Sequence, residues 1–343
     1  MYKVIVRPLL FLISPEKIHE ILVNSVRLIH RLPFFPWLLR KLFCLDDPKL
    51  EKEFLGLRFK NPVGLAAGFD KNASFYNEFG SFGFGFIETG TITPRPQPGN
   101  PKPRSFRLPK DKALINRMGI NNHGVDAAVD MLQNRKPGLI IGGNIGKNTD
   151  TPNEKAIDDF VYCFEKLYDS VDYFVVNVSC PNTGEIDKLQ DQEVMEGILR
   201  EIVDRRALKS IKKPVLLKIS PDLNFVQIDE ALSIVQKLGI DGIVATNTTV
   251  KRDGLITDKQ KVDAIANGGL SGAPLSARST EVIRYITHRT GGKLPIIGVG
   301  GIMTVKDAQE KLQAGAGLIQ VYTGFIYEGP AFVKRILKSI INP

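Results

Sequence analysis

Residues 175–184 join an apolar, β-branched run to a polar end that carries a thiol and two amides. The run ending at Val178 has the composition of a buried strand, and the proline and glycine after it are typical of a turn. Asn177, Cys180 and Asn182 would therefore leave one strand end together. We interpret the stretch as the catalytic edge of a barrel. The alternative is a buried strand and a turn with an inert cysteine.

Lys218 ends another apolar run, residues 215–217, so its ammonium is predicted to point into the mouth of a barrel. An unpaired buried lysine is costly, and this one needs an anion or an electron-rich ring nearby. A Schiff-base lysine is the alternative role. The cysteine and a predicted phosphate site favour flavin chemistry instead.

Glycines follow the last two predicted strands, in Gly300-Gly301 and Thr323-Gly324, and Gly272 is a candidate third member of this group. Each of these glycine sites, taken singly, is consistent with an ordinary tight turn. Their joint position favours a phosphate site, because barrels commonly bind phosphate through backbone N–H groups after strands seven and eight.

The remaining predicted strand ends are rich in Asn, Thr, Gly and Lys and contain almost no carboxylates or histidines. The sequence shows no Ser-His-Asp order, no paired-carboxylate site and no metal-ligand spacing, so no metal is expected. This composition suits a flat, polar, electron-accepting heterocycle better than hydrolysis.

Strands and helices alternate after about residue 60, which predicts the elements that carry these residues. Strands are predicted at 63–67, 85–88, 139–144, 173–178, 215–219, 242–246, 296–299 and 318–322, after a small hairpin at 54–59. Helices are predicted at 156–167, 194–208, 226–238, 279–288, 305–314 and 331–341. We therefore expect an α/β fold, a (β/α)8 TIM barrel with an N-terminal helical extension. An open doubly wound sheet is disfavoured because no Gly-x-Gly-x-x-Gly opens a helix.

Residues 1–45 form a separate basic and apolar segment, with seven basic side chains against two carboxylates. Ser14-Pro15 is a typical helix start, and Pro33 and Pro36 are expected to break the chain before a second helix at 37–43. Two amphipathic helices on an anionic membrane surface explain this composition, and a helical cap on the barrel is the alternative. No nucleic-acid motif accompanies the charge. Three cysteines without a CxxC pair suit a reducing compartment.

Eight motifs resemble those of the dihydroorotate dehydrogenase family, in the same order over about residues 54–335. They are GLAAGFDK (64–71), TITPRPQPGN (91–100), NRMGI (116–120), NIGKN (144–148), SCPNT (179–183), ATNTT (245–249), GGLSG (268–272) and IGVGG (297–301). The helical segment resembles the extension of the class 2 branch, which is membrane-associated and uses a quinone. The resemblance implies an FMN enzyme of pyrimidine synthesis that oxidises dihydroorotate to orotate.

The resemblance also implies roles for individual residues. FMN would be bound by Ala67, Gly68, Lys71, Thr91, Asn144, Asn177, Lys218, Thr246, Gly272, Gly301, Tyr322 and Thr323. Dihydroorotate would be held by Lys71, Asn116, Asn177, Asn182, Asn247 and Thr248, with Arg117, Met118, Gly119 and Ile120 as part of the wall. Cys180 and Lys218 are the catalytic candidates, and Cys180 would remove the C5 proton while C6 delivers hydride to the flavin. Arg107 and Tyr322 would contact the quinone.

Cys180 departs from the class 2 pattern, in which serine is the usual base, and matches class 1. A thiol is the easier base, because its ordinary pKa of about 8.5 leaves a few per cent thiolate near neutrality. A soluble enzyme using fumarate or NAD is therefore the alternative function. The primary expectation is a monomer, peripheral on the cytoplasmic side of the cell membrane, with residues 1–45 as a quinone-access module and residues 46–343 as the FMN-binding barrel.

Overall fold

The computed structural model of the protein describes residues 1–178 and 192–342. Its strands, numbered in chain order, are β1 (Lys52–Phe54), β2 (Leu57–Phe59), β3 (Val63–Leu65), β4 (Phe86–Ile92), β5 (Ser105–Leu108), β6 (Ala113–Asn116), β7 (Ile140–Ile145), β8 (Tyr173–Asn177), β9 (Val215–Ile219), β10 (Gly242–Ala245), β11 (Gly269–Gly272), β12 (Ile296–Val299) and β13 (Leu318–Val321).

The helices surround these strands and precede them at the amino end. They are α1 (Arg7–Phe11), α2 (Pro15–His30), α3 (Phe34–Phe43), α4 (Tyr76–Phe79), α5 (Val125–Leu132), α6 (Ala156–Leu167), α7 (Gln192–Ala207), α8 (Phe225–Leu238), α9 (Lys259–Ile265), α10 (Ser276–Arg289), α11 (Val305–Gln313), α12 (Thr323–Glu328) and α13 (Phe332–Ile341).

Eight parallel strands close into a barrel in the order β3-β4-β7-β8-β9-β10-β12-β13, with β13 returning to β3. All eight are strands that the sequence predicted, so the predicted (β/α)8 barrel is confirmed. The hairpin of β1 and β2 pairs antiparallel, also as predicted.

Side-chain alternation along the strands separates two hydrophobic cores. On β9, Leu216 packs inside the barrel, while Leu217 and Ile219 pack outward against the helices. Phe86 and Tyr173 belong to the inner core as well. Lys218 is two residues beyond Leu216, so the same alternation turns it inward at the carboxyl end of its strand.

A three-stranded antiparallel sheet, β5-β6-β11, was not predicted. It forms from two long connections, one after β4 and one after β10, for which no strands were predicted. Its strands are four residues each, and β6 pairs with a segment about 150 residues later in the chain. Pairing over that distance leaves no periodic signal in either segment alone.

The amino-terminal helices pack on the barrel through polar as well as apolar contacts. The Tyr2 hydroxyl donates to the Ile326 carbonyl at 2.6 Å, and Arg27 donates to the Ser74 carbonyl at 3.0 Å. Helix α2 begins with Pro15 at its first position, as predicted. The predicted break at Pro36 is wrong, because α3 begins at Phe34 and proline is tolerated in a first turn whose N–H groups have no helical partner. Among the residues with described structure, no helix is long and apolar enough to cross a membrane.

Candidate active site

A cleft of about 1040 Å³, open to solvent, lies over the carboxyl ends of the barrel strands. Most of the residues predicted to bind cofactor or substrate line it: Ala67, Gly68, Lys71, Thr91, Asn116, Met118, Ile120, Asn177, Lys218, Thr246, Asn247, Thr248, Gly272, Gly301, Tyr322 and Thr323. The parallel strands bring these distant positions together because their carboxyl ends meet at one face of the barrel.

A chain of hydrogen bonds runs from the cleft into the barrel interior. Asn177 Nδ2 donates to Thr91 Oγ1 at 2.9 Å, and Thr91 Oγ1 donates to Asn144 Oδ1 at 2.6 Å. Asn144 Nδ2 then donates to Glu88 Oε1 at 2.7 Å. Asn144 is fully buried and lies behind the cleft lining, so its side chain orients Thr91.

Lys218 pairs with Glu88 beneath the cleft. Its Nζ lies 3.4 Å from Glu88 Oε1, and both side chains are almost fully buried. Gln320 Nε2 donates to the other carboxylate oxygen at 2.6 Å. The sequence predicted an anion or an electron-rich ring near Lys218 but did not identify Glu88. The available signal was an acidic residue two positions after Phe86, on the same face of a predicted strand.

The glycine-rich end of the cleft allows close backbone approach. Gly301 has φ +70°, and a Cβ there would lie 2.3 Å from the Ser276 backbone nitrogen at the start of α10. Gly272 has φ +101°, and a Cβ there would lie 2.3 Å from the Lys112 carbonyl oxygen. Thr323 Oγ1 lies 2.8 Å from Ser271 Oγ. Glycine is therefore required at both positions by conformation and by space.

The opposite wall of the cleft carries amide side chains. Asn247 Nδ2 donates to Asn177 Oδ1 at 3.4 Å, and Asn247 Oδ1 accepts from the Thr248 backbone N–H at 2.8 Å. Asn116 Nδ2 donates to the Gly269 carbonyl at 3.4 Å, which ties β6 to β11. These contacts hold neutral donors and acceptors at the cleft edge, as binding of a polar ring requires.

Two residues of the predicted wall do not line the cleft. The Arg117 guanidinium is turned away: it donates to the Ile265 and Pro103 carbonyls and lies over the Phe106 ring. Gly119 packs against Asn100, since a Cβ there would lie 2.7 Å from the Asn100 nitrogen. These contacts hold the Arg117 side chain away from the cleft lining, so a role of this residue in the substrate wall stays a prediction.

A series of aromatic contacts connects the cleft lining to helix α2. The Tyr322 and Phe69 rings are 5.2 Å apart, and the Phe69 and His19 rings are 4.9 Å apart. Burial and the nearby Lys71 charge lower the pKa of His19 to about 4. Burial also lowers the pKa of Lys71 to about 8 and raises that of Tyr322 to about 12. The sequence did not single out His19 for this packing role; the available signal was its position beside Ile18 in the helix that Ser14-Pro15 begins.

Arg107 closes the outer side of this region. Its Nη1 donates to the Phe11 and Ile13 carbonyls at 3.3 and 2.6 Å, and the guanidinium lies 4.4 Å from the Phe11 ring centroid. Its Nε is buried and makes no hydrogen bond within the described residues. Cys180 and Asn182, predicted as base and substrate ligand, lie outside the described residues.

The fold and the cleft have counterparts in proteins of known family. Residues 49–342 match the family model described as dihydroorotate dehydrogenase. The chain belongs to the dihydroorotate dehydrogenase family.

Relatives within this family match the chain over nearly its whole length. It is 53% identical to the dihydroorotate dehydrogenase (quinone) of Christiangramia forsetii, with 100% of this chain and 99% of that protein aligned. It is 49% identical to the enzyme of the same name from Gloeobacter violaceus, over 97% of this chain and 92% of that protein. The crystal structure of the Eimeria tenella enzyme in complex with ferulenol superimposes with a TM-score of 0.84 at 36% identity, over 96% of this chain and 91% of that one. The family uses a flavin, which accords with the polar cleft.

Proposed function

We propose that the protein oxidises dihydroorotate to orotate for pyrimidine synthesis, with FMN bound in the cleft and a membrane quinone as electron acceptor. The observation that carries the proposal is the single cleft in which lysines, amides and a glycine cradle converge over the barrel. Bound flavin would supply the hydride acceptor of this reaction. The relatives described above are quinone-type enzymes, and the alternative of a fumarate- or NAD-using enzyme is therefore not favoured.

The residues present fit a flavin mononucleotide. At one end, Gly272 and Gly301 leave the backbone free to approach a phosphate, where a side chain would collide with neighbouring backbone. Elsewhere in the cleft, polar atoms for a flat ring come from Lys218, Thr91 and Asn177. Hydrogen bonds from Asn177 to Thr91 and from Thr91 to Asn144 fix the orientation of these side chains. The Gln320 amide also lines the cleft, and its Oε1 is buried without a hydrogen bond within the described residues.

The residues that would hold dihydroorotate are the amides of the opposite wall, Asn116, Asn177 and Asn247, together with Thr248 and Lys71. Neutral amides match the ureide edge of the substrate, and the Lys71 ammonium suits its carboxylate. Cys180 is the proposed acceptor of the C5 proton. Electrons would leave the cleft by way of the packed rings of Tyr322, Phe69 and His19, toward a quinone bound among the amino-terminal helices.

The amino-terminal helices also offer an apolar surface for a membrane. Leu12 and Trp37 are 84% and 53% exposed, and Leu28 and Phe34 are 64% and 60% exposed. Basic side chains accompany them, among them Arg31. A surface of this composition suits shallow insertion into anionic lipid, so we place residues 1–45 on the cytoplasmic face of the membrane as the module through which quinone reaches the barrel.

The test separates the two half-reactions in a stopped-flow instrument without oxygen. Purified yellow protein should bleach with dihydroorotate and recover its colour with a soluble quinone analogue, but not with fumarate or NAD. Arg107→Met should slow the quinone step by tenfold or more and leave the bleaching rate within twofold. Lys110→Met, an exposed neighbour, should change neither step. Recolouring by fumarate, or equal loss of both steps in the Arg107 variant, would contradict the proposal.

A further inference from the structure

We propose that Glu88 is a positioning residue that aims Lys218 and Gln320 at the bound flavin, thereby setting the flavin's reduction potential. The proposal rests on the function proposed above, because it assumes a flavin in the cleft. Glu88 itself does not line the cleft; it acts through the side chains that do.

Three strands fix the Glu88 carboxylate. Its Oε1 accepts from Lys218 on β9 at 3.4 Å and from Asn144 on β7 at 2.7 Å. Its Oε2 accepts from Gln320 on β13 at 2.6 Å. The carboxylate is fully buried on β4, so both oxygens are held without water access. Because donors approach from three different strands, the Glu88 carboxylate is held in one orientation.

The network directs polar groups toward the cleft. Lys218 and Gln320 both line the cleft and both donate backward to Glu88. Because an ammonium carries three N–H donors, the Lys218 group keeps donors available on its cleft side. A second branch reaches the cleft from Asn144 through Thr91. Glu88 is the point at which both branches meet.

The charge of Glu88 offsets the burial of the Lys218 ammonium. Burying an ammonium to about 5% exposure is costly unless an opposite charge lies nearby. Among the described residues, Glu88 is the carboxylate within ion-pair distance of Lys218. Other titratable groups near Lys218 are Lys71, which lines the same cleft, Tyr173 in the inner core, and Glu230 on α8, which lines a small pocket beside β9. Among the described residues, the ion pair of Lys218 is with Glu88 rather than with Glu230.

The Lys218 ammonium, held toward the cleft, would stabilise the additional negative charge of reduced flavin. If the Glu88 carboxylate is replaced, Lys218 and Gln320 lose the group that orients them, and the reduced flavin is stabilised less. The reduction potential should then fall. A purely structural role for Glu88 would change stability without changing the potential.

The experiment measures the flavin midpoint potential by spectroelectrochemistry at pH 7 on the purified holoprotein. In Glu88→Gln the reduced flavin should be stabilised at least tenfold less than in wild type, a fall of about 30 mV for a two-electron couple. Lys218→Met should lower the potential at least as much, and adding Glu88→Gln to Lys218→Met should lower it little further. Glu53→Gln, on the exposed face of β1, should match wild type.

Two results would overturn the proposal. One is a Glu88→Gln potential equal to wild type, and the other is an equally large fall when Glu88→Gln is added to Lys218→Met. If Glu88→Gln retains no flavin, the Glu88→Gln/Lys218→Met double variant gives the answer. Removal of both charges should restore flavin binding relative to either single variant. Failure to restore it would refute the pairing of the two residues. A colourless wild-type protein would instead refute the proposed function.

Discussion

Acidification should release helix α2 from the barrel, because His19 is packed against it in the neutral form. The His19 ring lies edge-on to Phe69 at 4.9 Å. Burial is the largest cause lowering the pKa of His19, and the Lys71 charge adds to it, while the Phe69 backbone and Glu16 oppose it. The protonated form is therefore disfavoured only while the helix is docked.

The sign and magnitude of the pH effect on helix docking follow from the pKa values of His19 in the docked and undocked states. His19 has a pKa of about 4 in the docked state, and its ordinary value of 6.5 applies when the helix is undocked. The contribution to docking is present above pH 6.5 and is lost as the pH falls toward 4. At pH 5 protonation should favour the undocked state by about 2 kcal/mol, or about 30-fold in the opening equilibrium.

Amide hydrogen exchange across α2 at pH 5, 6 and 7, corrected for intrinsic exchange rates, measures this opening directly. His19→Gln should show an opening equilibrium that does not change over this range. His123→Gln, which alters an exposed histidine on the barrel, should retain the wild-type response. Equal opening of the wild-type helix at pH 5 and pH 7, or an unchanged pH response in His19→Gln, would refute the reasoning.

Two further substitutions test the cradle and the docking of the helices. Gly301→Ala should give protein without flavin colour, because the added Cβ would lie 2.2 Å from the Ser276 Cα. Gly254 has nearly the same φ, +71° against +70°, but no neighbour within 4 Å of an added Cβ, so Gly254→Ala should stay yellow. Arg104→Met should lower the free energy of unfolding by roughly 3–5 kcal/mol, since it breaks a pair with Glu16 whose side chains are 7% and 16% exposed. Arg95→Met, which removes an exposed ion pair, should cost under about 1 kcal/mol in the same denaturant titration. A colourless Gly254→Ala, or equal losses in the two arginine variants, would count against these assignments.

The barrel strands and their inward faces could be predicted from the sequence alone. Val215–Ile219 is an apolar run of strand length, and its alternation is enough to turn Lys218 inward. The Ser14-Pro15 helix start and the glycines after β12 and β13 are local signals of the same kind. Such features depend on neighbours within a few residues, so a single segment specifies them.

Only the tertiary structure decided which side chains meet. The partner of Lys218 is Glu88, 130 residues earlier, and neither segment specifies the other. The same holds for the β5-β6-β11 sheet, for the outward turn of Arg117 and for the contact of His19 with Phe69. Closure of the barrel sets the Glu88–Lys218 contact, because strand order and register determine which inward-facing residues meet across its interior. The other contacts depend on how the β5-β6-β11 sheet and the amino-terminal helices form and pack outside the barrel.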